Sequence, residues 1–260
     1  NNDGTYSASM ISTTAEIVAV RAEFGGHYMT DTATVSFYTV GVATATHSTL
    51  SASSTSVLAN SGATVTITLQ AKDVNDNNLR TGGLSVSINS TGAATLSSVV
   101  DNNDGTYSAT MISTVAEMVT VSAEFGGNPV ASTVDVTFVA GTATAANSTL
   151  SASSALVPAD GSETTITLQA KDVNDNNLTT GGLLVTITST GAATLSSVVD
   201  NNDGTYRASM TSTVAEMVTV SAEFGGNPVT DTATVTFIAS TAKSANSTVS
   251  ASPRVVPGGW

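Results

Sequence analysis

The residues with the clearest capacity for chemistry are the carboxylates and carboxamides of two recurring acidic stretches. Asp-Val-Asn-Asp-Asn-Asn stands at residues 73–78 and again at 172–177, and Asp-Asn-Asn-Asp-Gly-Thr-Tyr stands at 101–107 and 200–206. A third copy of the second stretch, without its first Asp, opens the chain. Side chains so rich in oxygen suit a hard cation such as Ca²⁺, which takes about six to eight oxygen ligands.

Two interpretations of these stretches remain open. Asp-x-Asn-x-Asn at residues 73–77 and 172–176 provides the first three ligand positions of an EF-hand-type loop, but it lacks the Gly at position six and the closing Glu. Alternatively, the side chains accept hydrogen bonds from the backbone of their own turns, as Asp and Asn commonly do. No other cofactor is predicted. The candidate calcium ligands are Asp73, Asp101, Asp104, Asp172, Asp200 and Asp203.

No pattern of residues favours an enzyme. The two histidines, His27 and His47, become asparagine at the equivalent positions of the later repeats, and no nucleophile or acid accompanies them in sequence. We expect both histidines to be solvent-exposed loop residues. The serines lack the Gly-x-Ser-x-Gly context of a nucleophile elbow, and the Gly-Gly pairs are typical of hairpin turns rather than of a phosphate-binding loop.

The composition favours β-structure and limits the partners. Only 10 % of the residues are charged and 40 % are hydrophobic, with many Ser, Thr and Val residues that favour strands. The net charge of −13, with 7 basic residues, disfavours binding to nucleic acid or anionic membranes. The absence of cysteine excludes a disulfide framework. No apolar run approaches ~18 residues, so we expect no membrane insertion of this segment.

The chain is an array of nearly identical repeats. Asp104 and Asp203 lie 99 residues apart, as do Phe138 and Phe237. Within each repeat, turn-forming residues separate about seven short runs of alternating apolar and polar residues, a pattern typical of an antiparallel β-sandwich with immunoglobulin-like topology. We therefore predict an all-β fold of tandem immunoglobulin-like antiparallel β-sandwiches, with about seven strands per 99-residue repeat.

The register of the repeats predicts four segments. They are the C-terminal half of a repeat (1–40), two complete repeats (48–140 and 147–239), and the first strand of a further repeat or a terminal tail (240–260). Residues 1–37 are predicted to form three strands, and 247–257 a single first strand. Because the sequence begins inside a repeat, we expect a piece of a longer protein. Because the linker 139–147 is short, we expect an extended rod.

Several stretches of the repeat resemble a known family. They are Ser-Thr-Leu-Ser-Ala-Ser at 148–153, Thr-Ile-Thr-Leu-Gln-Ala-Lys-Asp-Val-Asn-Asp-Asn-Asn at 165–177, Asp-Asn-Asn-Asp-Gly-Thr-Tyr at 200–206, and Val-Thr-Val-Ser-Ala-Glu-Phe-Gly-Gly at 218–226. Together they resemble the group 1 bacterial immunoglobulin-like domain of invasin, intimin and related large adhesins. The Asp-Asn-Asn after Asp73 and Asp172 departs from the family, which usually has a glycine-containing turn there.

The resemblance implies a structural role on the outside of a bacterial cell. In such adhesins receptor contact usually belongs to a different, terminal module, so we predict a stalk segment of an extracellular adhesin or surface filament. It would project a binding tip, or form a fibre by head-to-tail strand addition. The expected partners are neighbouring copies or flanking repeats, with a host or surface receptor bound by a module outside this segment. The alternative is a binding module whose end loops recognise a surface carbohydrate or protein.

Overall fold

The computed structural model describes residues 3–38, 41–240 and 249–250. These residues form strands and turns, and no helix among them is long and apolar enough to cross a membrane. The chain divides into two compact units, Asn1–Gly141 and Thr142–Trp260. The strand predicted at 247–257 lies outside the described residues except for positions 249 and 250.

We distinguish three parts within these units. The N-terminal segment (3–38) and the first complete repeat (41–141) belong to the first unit, and the second complete repeat (142–240) belongs to the second. The strands of the N-terminal segment are β1 (Glu16–Phe24) and β2 (His27–Phe37). Those of the first complete repeat are β3 (Thr49–Ala52), β4 (Ser56–Leu58), β5 (Asn60–Gln70), β6 (Val86–Ser90), β7 (Thr95–Leu96), β8 (Val100–Asp101), β9 (Thr106–Ser113), β10 (Met118–Phe125), β11 (Asn128–Pro129) and β12 (Val134–Val139). Those of the second are β13 (Thr149–Ala152), β14 (Leu156–Pro158), β15 (Glu163–Gln169), β16 (Val185–Ser189), β17 (Thr194–Leu195), β18 (Val199–Asp200), β19 (Thr205–Thr211), β20 (Glu216–Phe224), β21 (Asn227–Pro228) and β22 (Ala233–Ile238).

Each complete repeat contains two five-stranded sheets. In the first repeat one sheet has the order β3-β5-β9-β7, with β8 also paired to β9, and the other has the order β11-β10-β12-β4, with β6 also paired to β10. The second repeat has the same arrangement in its own strands. This confirms the predicted all-β, immunoglobulin-like sandwich.

The number of strands differs from the predicted seven because two predicted strands are interrupted. The first strand of the repeat is split into β13 and β14, and the fourth into β17 and β18, while the two-residue β21 extends the turn of the last hairpin. Counting the interrupted pieces together gives the seven strands of the immunoglobulin-like topology. The interruption of the first strand lets it contribute to both sheets.

The second half of the first strand crosses to the opposite sheet in each repeat. β3 pairs antiparallel with β5, whereas β4 pairs in parallel with β12. Just outside the β4 ladder, the Thr137 amide donates to the Thr55 carbonyl (2.9 Å) and the Ala59 amide donates to the Val139 carbonyl (2.8 Å). The first strand therefore ties the two sheets together.

The core lies between the two sheets and follows the predicted alternation. β5 and β9 contribute alternate residues from one side, and β10 and β12 contribute alternate residues from the other. Successive strands bury every second side chain because side chains on a strand point to opposite faces. The buried hydrophobic residues on these four strands are Val65, Ile67, Leu69, Tyr107, Ala109, Met111, Val119, Val121, Ala123, Phe125, Val136 and Phe138.

The N-terminal segment forms only a hairpin. β1 pairs antiparallel with β2, but residues 5–12 belong to no strand, so the prediction of three strands at 1–37 is wrong for the described part of that range. In the first complete repeat the matching strand β9 pairs with β5, β7 and β8. Those partners have no counterpart among residues 3–38, and a strand without a pairing partner has no ladder to join.

Candidate functional site at the asparagine-rich turns

The turn at residues 73–77, which we call the DVNDN turn, is organised by one buried carboxylate. Asp73 is only 4 % exposed. Its Oδ1 accepts hydrogen bonds from the backbone amides of Asn75 (2.9 Å) and Asn77 (3.0 Å), and the Asn77 side chain donates to both carboxylate oxygens. Asp76 adopts a positive φ of 62°, a conformation that Asp tolerates better than most residues. The carboxylate thus accepts the hydrogen bonds that the backbone amides of its own turn donate.

The charge of Asp73 is stabilised in the folded protein. Burial alone raises the pKa of a carboxyl group, because it removes water from the charged form. The hydrogen bonds from Asn77 and Asn75, together with the nearby His47, outweigh this effect and hold the pKa of Asp73 below its ordinary value. Asp73 is therefore an ionised acceptor whose lone pairs are directed at the turn.

The turn at residues 101–107, which we call the DNNDGTY turn, uses its two carboxylates in the same way. Asp101 accepts from the amides of Asn103 (2.8 Å) and Gly83 (2.7 Å). Asp104 accepts from both the amide (2.9 Å) and the hydroxyl (2.6 Å) of Thr106, and these bonds lower the pKa of Asp104. The turn connects β8 to β9 with Asp101 opposite Tyr107, so it is a hairpin turn that leads into the strand carrying Tyr107.

Gly105, Gln70 and Tyr107 fasten the two turns to each other. A Cβ atom on Gly105 would lie 1.9 Å from the Leu79 carbonyl oxygen, so only glycine allows the DNNDGTY turn to approach the segment after the DVNDN turn. The Gln70 carboxamide donates to the carbonyls of Gly105 (3.2 Å) and Leu79 (3.3 Å). The buried Tyr107 hydroxyl accepts from the Leu84 amide (3.0 Å). These bonds hold the two acidic turns side by side.

The second complete repeat reproduces this arrangement. Asp172 is 1 % exposed and accepts from the amides of Asn174 and Asn176. Asp200 accepts from the amides of Asn202 and Gly182, and Asp203 accepts from the amide and hydroxyl of Thr205. The Thr205 bonds, with a smaller contribution from the charge of Arg207, lower the pKa of Asp203.

The six predicted calcium ligands therefore lie in two adjacent turns of each repeat, where each accepts hydrogen bonds from its own repeat. In the described parts of the chain, no three acidic or histidine side chains converge in a group that could hold a metal ion. The turn interpretation is supported by each of these bonds. Calcium binding stays a prediction.

The DVNDN turn of the first complete repeat also contacts the N-terminal segment. The Asn77 carboxamide donates from Nδ2 to the carbonyl of Thr13 (2.9 Å) and accepts at Oδ1 from the amide of Ala15 (2.7 Å). Asn77 is 6 % exposed. One side chain thus makes a two-point contact with the backbone of a segment more than sixty residues earlier in sequence.

The two histidines lie in different environments. His27 is exposed, as predicted, but it is the first residue of strand β2 rather than a loop residue. His47 is half-buried rather than fully exposed, and its Nδ1 lies 2.8 Å from Oδ1 of Asp76. In the second complete repeat Asn147 donates to Asp175 (2.9 Å) at the equivalent place. His47 and Asn147 therefore connect the linker before the first strand to the DVNDN turn, which is a structural contact rather than a catalytic one.

Sequence reasoning missed the roles of Gln70, Tyr107 and Asn77. The glutamine and tyrosine recur at the same places in the second repeat, as Gln169 and Tyr206, and that recurrence was the available signal. Asn77 was considered as a possible calcium ligand or as a residue that bonds the backbone of its own turn. Its contact with residues 13 and 15 depends on tertiary proximity that no local pattern reports.

The repeats match a protein-family model in the same register. The model for domain 3 of invasin matches residues 44–141 and again residues 144–240. The chain belongs to this family. The predicted resemblance to invasin- and intimin-type immunoglobulin-like domains is thereby confirmed. No curated protein sequence matches the chain.

Solved structures of bacterial adhesins share the fold. Invasin, described as a bacterial integrin-binding protein, is 26 % identical with a TM-score of 0.54, over 87 % of this chain and 46 % of that one. InvD of Yersinia pseudotuberculosis is 29 % identical with a TM-score of 0.54, over 79 % and 62 %. The Escherichia coli adhesin FdeC is 32 % identical with a TM-score of 0.56, over 78 % and 66 %. The chain thus spans about half to two thirds of these relatives.

These relatives place the chain among the immunoglobulin-like domains of bacterial surface adhesins. Domains of this kind are parts of adhesins rather than enzymes, in line with the prediction that the chain is not an enzyme. Their location on bacterial cells agrees with the predicted extracellular location.

Proposed function

We propose that the chain is a stalk segment of a bacterial surface adhesin, which transmits tension between the cell and a binding module carried elsewhere in the protein. The observation that carries the proposal is the path of the chain through each repeat. Family membership supports the setting, because invasin-type domains occur in adhesins. The host or surface receptor is bound outside this segment, and the neighbouring partners are flanking repeats.

The chain enters and leaves the first complete repeat at opposite ends of its longest strand. β3 begins at Thr49, which is paired with Gln70 at the end of β5. β12 ends at Val139, whose carbonyl accepts from Ala59, the residue before β5 begins. β5 pairs with β9 from Gln70–Thr106 to Asn60–Ser113. Because a strand rises about 3.3 Å per residue, these seven steps of β9 place the entry and exit points roughly 20–25 Å apart. A pulling force applied to the two ends of the repeat therefore acts along the length of the sandwich.

This path loads the parallel pair β4–β12 in shear. Tension pulls β4 back toward the entry and pulls β12 forward toward the exit, while both strands run in the same direction. The hydrogen bonds of the ladder lie across the direction of sliding, so they must break together rather than one at a time. The second complete repeat has the same pair in β14 and β22. Both repeats are suited to bear tension between their termini.

Single-molecule stretching of the full chain tests this proposal. We expect two separate unfolding events, each releasing roughly 30 nm of chain, because about 3.5 Å of length is gained per unfolded residue. The critical variant is Val57→Pro, since the ladder bonds on either side of Val57 use residues 55 and 59, and bonding to one neighbour alternates along a strand. We expect it to lower the unfolding force of the first complete repeat only.

Leu58→Pro is the matched control for that experiment. Residue 58 alternates out of the ladder with β12, and the second complete repeat already has Pro158 at this position. The proline should therefore leave the unfolding force unchanged. A first repeat that resists tension equally well with Val57→Pro would contradict the proposed role of the parallel pair.

Head-to-tail strand addition is a finer proposal for how such stalks extend. Residues 247–257 repeat the sequence pattern of 148–158, which contains β13 and β14, and β14 pairs with β22 in the second complete repeat. β2 of the N-terminal segment is the sequence counterpart of β22. The C-terminal strand of one copy would thus pair with β2 of the next. Light scattering decides the matter, because a mass that stays monomeric as concentration rises would exclude it.

Recognition by the end loops is the second candidate function, and a recurring cleft favours it. In the second complete repeat a cleft of about 690 Å³ lies between residues 142–146 and the hairpin around Asn227, and the first repeat has one of about 600 Å³ at the same place. Phe224, its aromatic residue, is only 7 % exposed, so no open ring is available for stacking on a sugar. Asn227→Ala should weaken binding on a glycan or protein array if the cleft is used, and unchanged binding would exclude it.

Calcium binding at the acidic turns is a further proposal with a direct test. If Ca²⁺ binds the folded repeats, thermal unfolding should shift upward with added CaCl₂ and downward with EDTA, because a ligand of the folded state stabilises it. Asp104→Asn is the informative variant, since both Thr106 bonds use Oδ1, which asparagine retains, while one carboxylate is removed. The same melting temperature at millimolar calcium and in EDTA would dismiss the idea.

A further inference from the structure

The contact between Asn77 and the N-terminal segment joins two preformed turns. One is the DVNDN turn of the first complete repeat. The other is the Ser-Thr-x-Ala turn that precedes the last hairpin of a repeat, at residues 12–15 in the N-terminal segment, which we call the STXA turn. Both sequences recur, as 172–176 for the first turn and as 113–116 and 212–215 for the second.

The DVNDN turn holds the Asn77 side chain in place before any partner is considered. The Asp73 carboxylate accepts from the Asn77 backbone amide (3.0 Å) and from its side-chain Nδ2 (3.2 Å). A side chain that is already fixed loses little conformational freedom when it forms a further contact. The carboxamide also presents a donor and an acceptor together, which matches one carbonyl and one amide of a partner backbone.

The STXA turn is shaped by its own serine. Ser12 Oγ accepts from the Thr14 amide (3.1 Å) and donates to the Thr14 carbonyl (2.9 Å). Ser212 makes the same two bonds to Val214 (3.0 and 3.1 Å), and Ser113 makes them to Val115. The turn therefore holds its own shape through its serine. In the N-terminal segment, Asn77 contacts the carbonyl of the second residue of this turn, Thr13, and the amide of the fourth residue, Ala15.

We propose that the DVNDN turn is a docking socket for the STXA turn of an adjoining repeat, with Asn77 as the residue that connects them. Asn77 bonds only to backbone atoms of the partner, so the side chains at residues 13 and 14 are not part of the recognition. The proposal deepens the proposed stalk function, on which it rests for its biological meaning, by naming the joint between one repeat and the repeat before it.

Amide exchange and ¹⁵N relaxation of the full chain test the socket. In the wild type the Ala15 amide should exchange slowly, and Asn77→Ala should accelerate its exchange roughly fivefold, because one hydrogen bond contributes about 1 kcal/mol. The order parameters of β1 and β2 should fall in the same variant. Asn75→Ala is the matched control, since Asn75 lies in the same turn with an exposed side chain, and it should change neither measurement.

Ala15→Pro tests the same joint from the other side, without altering any residue of the first complete repeat. Proline lacks the amide hydrogen that Asn77 Oδ1 accepts, so relaxation should show the same release of β1 and β2 while the repeat keeps its amide protection. Unchanged relaxation of the hairpin in both variants would overturn the socket, as would rapid exchange of the Ala15 amide in the wild type. Neither variant touches β4 or β12, so this failure would leave the stretching behaviour, and with it the proposed stalk function, standing.

Discussion

The hairpin β10–β12 of the first complete repeat and the hairpin β1–β2 of the N-terminal segment have matching sequences but different surroundings. β10 and β12 pack against the opposite sheet of the first complete repeat, whereas β1 and β2 have no opposite sheet among residues 3–38. Phe125 is 7 % exposed, and its counterpart Phe24 is 76 % exposed. Both hairpins nevertheless form the same antiparallel ladder. Pairing is thus a local property of the sequence, while burial requires strands from elsewhere in the repeat.

The largest difference in the free energy of unfolding should be that between Phe125→Ala and Phe24→Ala, which replace the phenylalanine at the end of each hairpin. Phe125→Ala should lower the free energy of unfolding of the first complete repeat by about 3–5 kcal/mol, because it removes a large buried side chain and leaves a cavity. Phe24→Ala should change it by less than about 0.5 kcal/mol, as expected of an exposed position. Urea unfolding followed by NMR signals of the first complete repeat measures both. Equal effects would mean that Phe24 also packs in a core.

The next largest difference in the free energy of unfolding should be that between alanine substitutions at Gly105 and at its counterpart Gly4. Gly105 and Gly4 both have positive φ, at 87° and 82°. A Cβ on Gly105 would meet the Leu79 carbonyl at 1.9 Å, whereas nothing lies within 4 Å of one on Gly4. Gly105→Ala should therefore destabilise the first complete repeat by about 3 kcal/mol or more, since the backbone strain adds to the overlap.

Gly4→Ala is the control for that substitution. It introduces the same unfavourable backbone conformation without the collision, so the repeat should keep its stability in the same urea experiment. If both alanines destabilised the first complete repeat equally, the close approach of the two acidic turns would not be the reason for glycine at this position.

The tyrosine of the DNNDGTY turn predicts a smaller difference. Tyr107 is buried, and its hydroxyl accepts from the Leu84 amide, while Tyr6 is 84 % exposed. Tyr107→Phe should cost about 1 kcal/mol of unfolding free energy, because it leaves a backbone amide without its acceptor. Tyr6→Phe should have no measurable effect. Faster exchange of the Leu84 amide in Tyr107→Phe alone would identify the lost bond as the cause.

The smallest difference concerns acid stability. Hydrogen bonds from Thr106 hold the pKa of Asp104 below the ordinary value of 3.8, and bonds from Thr5 do the same for Asp3. The stabilisation from Asp104 is complete above that ordinary value and is lost as pH falls through the lower pKa of the folded state. The urea midpoint of the first complete repeat should therefore fall below about pH 4, and less steeply in Asp104→Asn.

Asp3→Asn tests whether a carboxylate with a lowered pKa outside the first complete repeat affects the acid stability of that repeat. Hydrogen bonds from Thr5 lower the pKa of Asp3, and Asp3 lies outside the sandwich of the first complete repeat. Removing it should leave the acid profile of the first complete repeat unchanged. A change in that profile would show that the N-terminal turn contributes to the stability of the repeat that follows.

The sandwich was predictable from the sequence because its evidence is local. Alternation in β5 and β9 marks the buried face, and Asp-Asn-Asn-Asp-Gly favours a tight turn before Tyr107. The transfer of β4 to the opposite sheet was not predictable in this way. It depends on β12, which follows some eighty residues later and supplies the parallel ladder.

The candidate site was predictable only in part, for a similar reason. The acidic stretches identify Asp73 and Asp101 as unusual residues, but a carboxylate that satisfies a turn and one that binds a cation have the same sequence. Asn77 illustrates the limit more clearly. Its second role depends on residues 13 and 15 lying against it in the folded chain, and no spacing within the turn reports that contact.

The turns of both complete repeats have a consequence for the medium in which the protein works. The groups that donate to the carboxylates of Asp73, Asp101 and Asp104 are backbone amides, the Thr106 hydroxyl and the Asn77 carboxamide. Salt screens attraction between opposite charges, so at these turns it acts on His47 beside Asp76 and on Arg207 near Asp203 and leaves the contacts with neutral donors unaffected. Added salt would also act on the net charge of −13, whose self-repulsion it reduces. The repeats are therefore built to keep, or gain, stability as the surroundings become more saline.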